Sequence, residues 1–251
     1  MTETIRLVAW NIRAGGGRRV DEIAAQISRW GADIAALSEF RSTPPSLRLQ
    51  ERLAREGLVH QISTANHRAP AENRLLLASR WPLRRIGLRR APQEPGKWIL
   101  ARVSAARPFT TGAMHIPNVV TGRKYVYHHS VLDVVRRWRG GPALLIGDTN
   151  SGRIDLDEET PVFSQHEDGW MRALDQAGWR DAFRHLCGEK RAYTWYSPNG
   201  GNGFRLDEAF INRKLLPRLI DTEYAWGAST SDLSRRDALS DHAAQIVVLE
   251  A

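Results

Sequence analysis

Short apolar runs recur along the whole chain, at 5–10, 33–37, 75–78, 98–103, 110–114, 143–146, 206–211 and 245–249. Runs of this length fit strands buried against a second layer. Between them the period changes. Val20, Ile23, Ile27 and Trp30 stand three or four apart, and Gly31 closes the stretch. Tyr125, His128, Leu132, Val135 and Trp138 form a second stripe, ended by Gly140-Gly141-Pro142. Trp170, Leu174 and Ala177 form a third, stopped by Gly178. Such spacing gives each helix one apolar face. Strands therefore alternate with surface helices from end to end, and two sheets packed face to face with helices outside satisfy the pattern. No repeat, low-complexity tract or long linker interrupts the 251 residues, so one domain over 1–251 is expected.

The polar residues where these runs stop carry the chemistry. Asn11 follows Trp10, Glu39 follows Leu37-Ser38, and His115 follows Met114. Asp148 and Asn150 follow Ile146-Gly147, Asp207 enters an apolar run after Arg205-Leu206, and Asp241-His242 precede the last run. Any one of them alone reads as a turn residue, a helix cap or a solvated side chain. Their recurrence at strand ends points to convergence at one rim of a sheet pair. Their types suit one task, because carboxylate and amide oxygens are hard ligands for Mg²⁺ or Mn²⁺. No Cys–His pair has zinc spacing. In Asp148-Thr149-Asn150 the first and third residues of an extended segment point the same way. One can activate a water while the other holds a phosphoryl oxygen. His242 can donate to a developing phosphorane oxygen, with Asp207 orienting the imidazole and keeping it protonated. There is no Gly-x-Ser-x-Gly elbow and no Gly-x-x-x-x-Gly-Lys-Ser/Thr loop. Gly15-Gly16-Gly17 is read as a flexible strand-to-helix turn rather than a phosphate cradle.

Charge narrows the partner. Thirty-six Lys and Arg against 28 Asp and Glu leave a net charge of +8. Such a field draws in polyanions, of which nucleic acid is the commonest. An arginine-rich composition can produce the same excess without a partner. Cys187 is the only cysteine, so no intrachain disulfide forms and a reducing compartment is favoured. The first residues lack a basic segment followed by an apolar one, and no apolar run approaches the ~18 residues that span a bilayer. A cytoplasmic protein without a membrane partner is expected.

Seven motifs then stand in order: Trp10-Asn11-Ile12-Arg13, Leu37-Ser38-Glu39, Ala78-Ser79-Arg80-Trp81-Pro82, Met114-His115-Ile116-Pro117-Asn118, Gly147-Asp148-Thr149-Asn150, Arg205-Leu206-Asp207 and Ser240-Asp241-His242. In this set and order the chain resembles the endonuclease/exonuclease/phosphatase superfamily over nearly its full length. The resemblance implies a four-layer α/β sandwich, two mixed sheets flanked by helices, with a metal site at one edge. It implies Glu39 as a principal metal ligand, with Asn11 and Asp241 in or beside the metal shell. It further implies Asp148 orienting or deprotonating the attacking water, Asn150 on the scissile phosphate, His115 among the catalytic groups and Asp207–His242 as a dyad. Asn118 would bind substrate.

The stretch from Gly178 to Arg184, then Tyr193-Thr194-Trp195, then Gly203 to Asp207, is similar to the exonuclease III and abasic-site endonuclease branch. There, positions matching Trp195, Phe204 and Leu206 line a pocket for a base-less sugar; core aromatics are the plainer reading. Three departures mix the signal. His115 stands where that branch usually carries Tyr, Ser38-Glu39-Phe40-Arg41 replaces its Gln-Glu-x-Lys, and the segment from Trp195 to Phe204 is short. Arg13 and Arg41 are instead similar to deoxyribonuclease I arginines that approach DNA. The leading expectation is a Mg²⁺- or Mn²⁺-dependent phosphodiesterase of DNA, abasic-site-directed or exonucleolytic. The alternative keeps the metal and takes a phospholipid or small phosphoester. Basic pairs at Arg84-Arg85, Arg89-Arg90 and Arg136-Arg137 favour the longer polyanion.

Overall fold

The computed structural model describes residues 3–92, 94–227 and 239–251. In chain order the elements are β1 (Thr4–Asn11), α1 (Val20–Arg29), β2 (Ile34–Phe40), α2 (Pro44–Arg55), β3 (His60–Ser63), β4 (Arg74–Ser79), β5 (Leu83–Arg85), β6 (Trp98–Val103) and β7 (Phe109–His115). They continue with α3 (Lys124–Arg136), β8 (Ala143–Asp148), α4 (Gln165–Gln176), β9 (Trp179–Asp181), α5 (Ala182–Cys187), β10 (Trp195–Tyr196), β11 (Gly203–Phe204), β12 (Asp207–Asn212), β13 (Leu219–Ala225) and β14 (Ala244–Glu250). One six-stranded sheet has the order β13-β14-β1-β2-β4-β3 and the other β5-β6-β7-β8-β12-β9. Both are mixed: β1–β2 and β7–β8 are parallel, and the remaining pairs are antiparallel.

Alternation within the strands sorts side chains into three cores. Ile5, Leu7, Ala9, Leu75, Leu77, Val247 and Leu249 of the first sheet meet Ile99, Ala101, Leu144, Ile146, Ala209 and Ile211 of the second. The opposite face of the first sheet buries Val8, Trp10, Leu37 and Leu76 against Ile23 and Ile27 of α1 and Leu49 and Leu53 of α2. The outer face of the second buries Leu100, Leu145 and Phe210 against Val131 of α3 and Trp170 and Leu174 of α4. The result is the four-layer α/β sandwich, helix–sheet–sheet–helix. Among the described residues no helix is long and apolar enough to cross a membrane.

Every expected strand and helix exists, with ends shifted by a few residues. The additional ones lack the signal that reveals the others. Strand β13 is an edge strand on which only Thr222 is buried, so no apolar run marks it. Helix α2, Pro-Pro-Ser-Leu-Arg-Leu-Gln-Glu-Arg-Leu-Ala-Arg, starts on prolines suited to a first turn and buries only Ser46, Leu49 and Leu53.

Behind β12 lies a buried ionic cluster. Arg205 has no solvent-exposed side-chain surface. Its Nε and Nη2 donate to the two carboxylate oxygens of Asp157 (2.6 and 3.0 Å), and Nη2 also donates to Asp181 Oδ2 (2.6 Å). Arg184 pairs with Asp157 from the other side. Burial alone would raise the Asp157 carboxyl, but the two guanidinium groups outweigh it and bring it down to about 2. Removing the cation leaves buried Asp157 with Arg184 alone and takes the guanidinium from Asp181, so Arg205→Met is expected to cost about 3–5 kcal/mol, read as a lower urea midpoint. Acid acts on the same group. A carboxyl held low stabilises the fold above its unfolded value of about 3.9, and that contribution drains away as pH falls through about 2. Melting temperatures recorded from about pH 4 down to about pH 2 should fall in the wild type and fall less in Asp157→Asn. An identical profile in both would exclude this cluster as the acid-sensitive element.

Candidate active site

Strand register delivers the polar residues to one rim. Strands β1 and β2 run parallel with Asn11 opposite Ser38, and β7 and β8 run parallel with His115 opposite Asp148. Strand β12 enters the second sheet with Asp207 opposite Asp148. A backbone bond from Ala243 N to Thr194 O (2.8 Å) and a bridge between Trp195 and His242 bring the start of β14 to the same edge. Asn11, Glu39, His115, Asp148, Asn150, Asp207, Asp241 and His242 therefore meet where the two sheets end, as their positions at strand ends imply.

Backbone irregularities aim several of these side chains. Glu39 is the extra residue of a bulge in β2, between Ser38 and Phe40, and has φ 60°. A left-handed glutamate is unfavourable and needs local compensation. It has it: Glu39 Oε2 accepts Ala14 N–H (2.6 Å) and its carbonyl accepts Gly15 N–H (2.8 Å). Arg13 and Ala14 are left-handed too, at φ 51° and 52°. Asn11 Oδ1 caps this turn by accepting Arg13 N–H (3.0 Å). A Cβ on Gly15 would lie 2.5 Å from Ser46 Oγ, so that position requires glycine. Gly147, at φ 144°, lets β8 pass against β7, where a Cβ would meet the Met114 carbonyl oxygen at 2.0 Å. The next residue is Asp148. Asn150 is left-handed at φ 49°, with its N–H on Asp148 Oδ1 (3.0 Å) and Nδ2 on the Ile116 carbonyl (2.9 Å). The glycine run 15–17 is a turn, with each φ positive.

The inner groups are packed and charged. Asp148, Asp207 and His242 are all buried. Asn11 Nδ2 donates to Asp148 Oδ2 (2.9 Å), whose other near neighbour is His115 Nε2 at 3.6 Å. His242 Nδ1 lies 2.9 Å from Asp207 Oδ2. Burial by itself lowers the His242 pKa, but the Asp207 charge and hydrogen bond, with Asp148 and Asp241 behind them, raise it to about 9. The ring is an imidazolium at neutral pH and donates Nδ1–H to Asp207. Asp148 is pushed up by burial and by Asp207, against the pull of His242, His115 and the Asn11 amide. Burial, helped by Lys97 and His242, lowers His115 to about 4 against the attraction of Asp148, so that ring is neutral.

The remaining expected residues surround this centre. Arg13 is exposed, its Nε 4.0 Å from Asp241 Oδ2. Arg41 Nε is held by Asn73 Oδ1 (2.6 Å). Asn118 is exposed beyond His115-Ile116-Pro117, and its carbonyl accepts the Thr121 hydroxyl (2.8 Å). Trp195 is half-buried with its ring 6.3 Å from that of His242, while Phe204 and Leu206 are buried. Phe163 extends the aromatic group, 5.5 Å from Phe204.

Residue patterns did not single out several supporting groups. Arg19 spans the rim, bonding the carbonyls of Ile12, Arg13 and Leu239. Lys124 and Glu167 form a buried pair that also holds the Asn150 carbonyl. Thr194 Oγ1 accepts Leu206 and Asp207 N–H. Lys97 Nζ lies 3.3 Å from His115 Nδ1. Each is a charged or hydroxyl side chain in an ordinary loop or helix start, with no local spacing to mark it.

Ligand atoms of Asp148, Asp207 and His242 lie within 4.8 Å of one another, so this buried trio could hold a metal ion. A second donor set, Asn11, Glu39 and Asp241, rings the turn at 11–15. All its side-chain donors toward a cation are oxygens, which fits a hard divalent metal.

The family profile for the Endonuclease/Exonuclease/phosphatase family matches residues 8–242. No curated protein sequence matches the chain. Among solved structures, the 3'-5' exonuclease NExo from Neisseria meningitidis is 21% identical, with a TM-score of 0.77 over 98% of this chain and 100% of that one. A variant of the 3' phosphatase NExo from Neisseria, bound to product DNA hairpin, is 20% identical, with a TM-score of 0.78 over the same shares. An AP endonuclease from Archaeoglobus fulgidus is 16% identical, with a TM-score of 0.79, again over 98% and 100%. With 235 consecutive positions from 8 to 242 under the family profile, the chain belongs to the endonuclease/exonuclease/phosphatase family, hydrolases of phosphoester bonds.

Proposed function

We propose that this protein is a Mg²⁺- or Mn²⁺-dependent phosphodiesterase acting on the DNA backbone, working in a reducing, cytoplasmic setting. One observation carries the reading: a buried carboxylate, Asp148, lies between a hydrogen-bonded amide (Asn11) and a charged Asp207–His242 pair at the open end of two sheets. That is the inventory phosphoester hydrolysis needs, a base for water and a cation for the phosphorane. The net charge of +8 and the solved relatives that act on or bind DNA support nucleic acid over a small phosphoester.

Of the two donor sets, Glu39 with Asn11 and Asp241 suits the metal better. His242 Nδ1–H is committed to Asp207, and an imidazolium does not ligate. Glu39 has one oxygen on Ala14 N–H and a second left for a cation. When bound, the metal would polarise the phosphoryl group and offset its growing charge. The protein's own residues do the rest. Asp148, its pKa raised, takes the proton of the attacking water. Asn150 binds a phosphoryl oxygen, and neutral His115 helps orient Asp148. His242 stabilises phosphorane charge, with Asp207 preserving its proton. Arg13, Arg41 and Asn118 line the approach of the backbone. Trp195, Phe204 and Leu206 receive the sugar beside the cleaved bond.

Four outcomes are expected. A cleavage panel of plasmid, linear duplex, abasic duplex, single strands, RNA and a phosphoinositide should show DNA hydrolysis with Mg²⁺ or Mn²⁺. Full activity after exhaustive chelation rejects the metal, and a preference for the phosphoinositide rejects DNA. Glu39→Gln should weaken Mn²⁺ binding in calorimetry and lower activity together, with the melting temperature retained.

His242→Ala or Asp148→Asn should lower kcat by about two to four orders of magnitude, the usual range for such groups, while DNA binding survives. The structure sharpens the control. The Trp10 indole donates to the backbone carbonyl of His242 (2.8 Å), so the side chain is not needed to anchor β14. An early-melting mutant with normal turnover would show His242 to be only a brace.

DNA affinity should fall steeply with salt through counterion release, and Arg13→Ala should flatten the slope. Affinity independent of salt would remove the electrostatic argument.

A further inference from the structure

The turn before β6 reads Glu94-Pro95-Gly96-Lys97 and is pinned from both halves of the sandwich. Thr64, just after β3, donates its hydroxyl to the Gly96 carbonyl (2.7 Å). Tyr127 of α3 donates to the Lys97 carbonyl (2.7 Å), and Lys97 N–H closes the turn on Glu94 O (2.9 Å). The start of the Lys97 side chain is thus fixed in space. Long lysines normally extend into water. This one is half-buried and turns along the rim, with Nζ 3.3 Å from His115 Nδ1.

Burial, with Arg74 adding to it, lowers the Lys97 pKa, and the carboxylates of Asp148, Glu39 and Glu94 oppose that. Among the described residues none of these carboxylates forms an ion pair with it. A lysine that merely braces a fold usually ends on a carboxylate. Lys97 instead ends on a ring nitrogen of His115, whose other nitrogen lies 3.6 Å from Asp148. An ammonium has three donors. One is directed at the unprotonated Nδ1 of His115, whose Nε2 faces Asp148 at 3.6 Å. Two remain.

We infer that Lys97 is a catalytic residue that donates from its ammonium group to a non-bridging oxygen of the phosphoryl group being cleaved. The inference rests on the phosphodiesterase reading of the site. A phosphorus attacked by water at Asp148 brings its non-bridging oxygens beside the His115 ring that faces Asp148 and contacts Nζ. Negative charge on those oxygens grows toward the transition state, so the contact strengthens as the bond breaks. Lysine acts here as a point charge and keeps His115 in the Nε2–H tautomer at the same time.

The test uses diesters in which one or the other non-bridging oxygen at the cleaved position is sulfur. Lys97→Met should keep the melting temperature and KM and lose about 100-fold in kcat on the oxygen substrate, as for one oxyanion donor. Lys97→Arg, which keeps the charge, should recover most of that loss. The sulfur penalty should shrink in Lys97→Met for one diastereomer only, because the donor that senses that atom is gone. Turnover of Lys97→Met near wild type overturns the inference, as does an unchanged sulfur penalty for both diastereomers. If Lys97→Met does not fold, the same comparison with Lys97→Arg decides, since a displaced guanidinium alters the penalty at the contacted oxygen alone. Wild-type protein that cleaves no phosphodiester refutes the phosphodiesterase reading and this inference with it, whereas a working wild type with an indifferent Lys97→Met refutes only Lys97.

Discussion

Two carboxylates face each other across adjacent antiparallel strands. Asp148 ends β8, Asp207 begins β12, and the ladder sets them directly opposite in a buried position. Like charges so close and so poorly hydrated are strongly unfavourable unless something between them carries a proton or a donor. The surrounding structure supplies both. His242 holds a proton on the Asp207 side, and Asn11 donates to Asp148 from the neighbouring sheet. Asp148 is left with a raised pKa, pushed up by burial and by the charge of Asp207. Its neighbours Thr149 and Asn150 carry the constraint outward, Thr149 bonding Glu208 and Asn150 bonding Lys124 and Ile116. The four elements that meet here come from both sheets, so the site exists only when the sheets are stacked.

Backbone strain is concentrated at the same rim. Arg13, Ala14, Glu39 and Asn150 all have positive φ without being glycine. Each such residue costs about 1–3 kcal/mol. The strain persists because every one of these turns is tied by several hydrogen bonds, many of them to one another. The bulge that carries Glu39 and the turn that carries Arg13 brace each other through Glu39–Ala14 and Glu39–Gly15. Together they hold the oxygen donors of Glu39 and Asn11 around a single short loop. Regular strands supply the rigid floor, and the irregular residues do the aiming. A rigid scaffold with a few over-determined ends suits chemistry in which misplacement of about 1 Å can cost about 10²-fold in rate.

Electrostatics divides the molecule by depth. The +8 surplus is carried mainly by exposed arginines. The acidic groups at the rim are the exception, and they sit among cations: Arg13 beside Asp241, Lys97 beside His115, Arg19 across the 12–13 turn. Such a surface attracts polyanions, whereas the rim gathers carboxylates whose charge is offset only by these few cations.

How much of this was legible in residues follows from the range of each force. Apolar alternation reports whether a strand is covered, so the eight covered strands and three helices with strong stripes were readable, and the edge strand β13 and arginine-rich α2 were not. Asn11, Glu39, His115, Asp148, Asp207 and His242 could be picked out because each stands at the end of an apolar run, and strand ends of stacked sheets share an edge. Their order along the chain pointed to the family. The sequence could not show that Glu39 sits on a bulge, that His242 is protonated while His115 is neutral, or that Arg205 is wholly buried between two aspartates. Those depend on distances and desolvation between residues far apart in the chain. Lys97 is the clearest case. Nothing around Gly96-Lys97-Trp98 marks this lysine, and only the stacking that brings Thr64 and Tyr127 against its turn commits its charge to the rim. Local pattern determines which segments are buried, whereas the charge state and aim of a side chain depend on the neighbours that tertiary packing brings within a few ångströms.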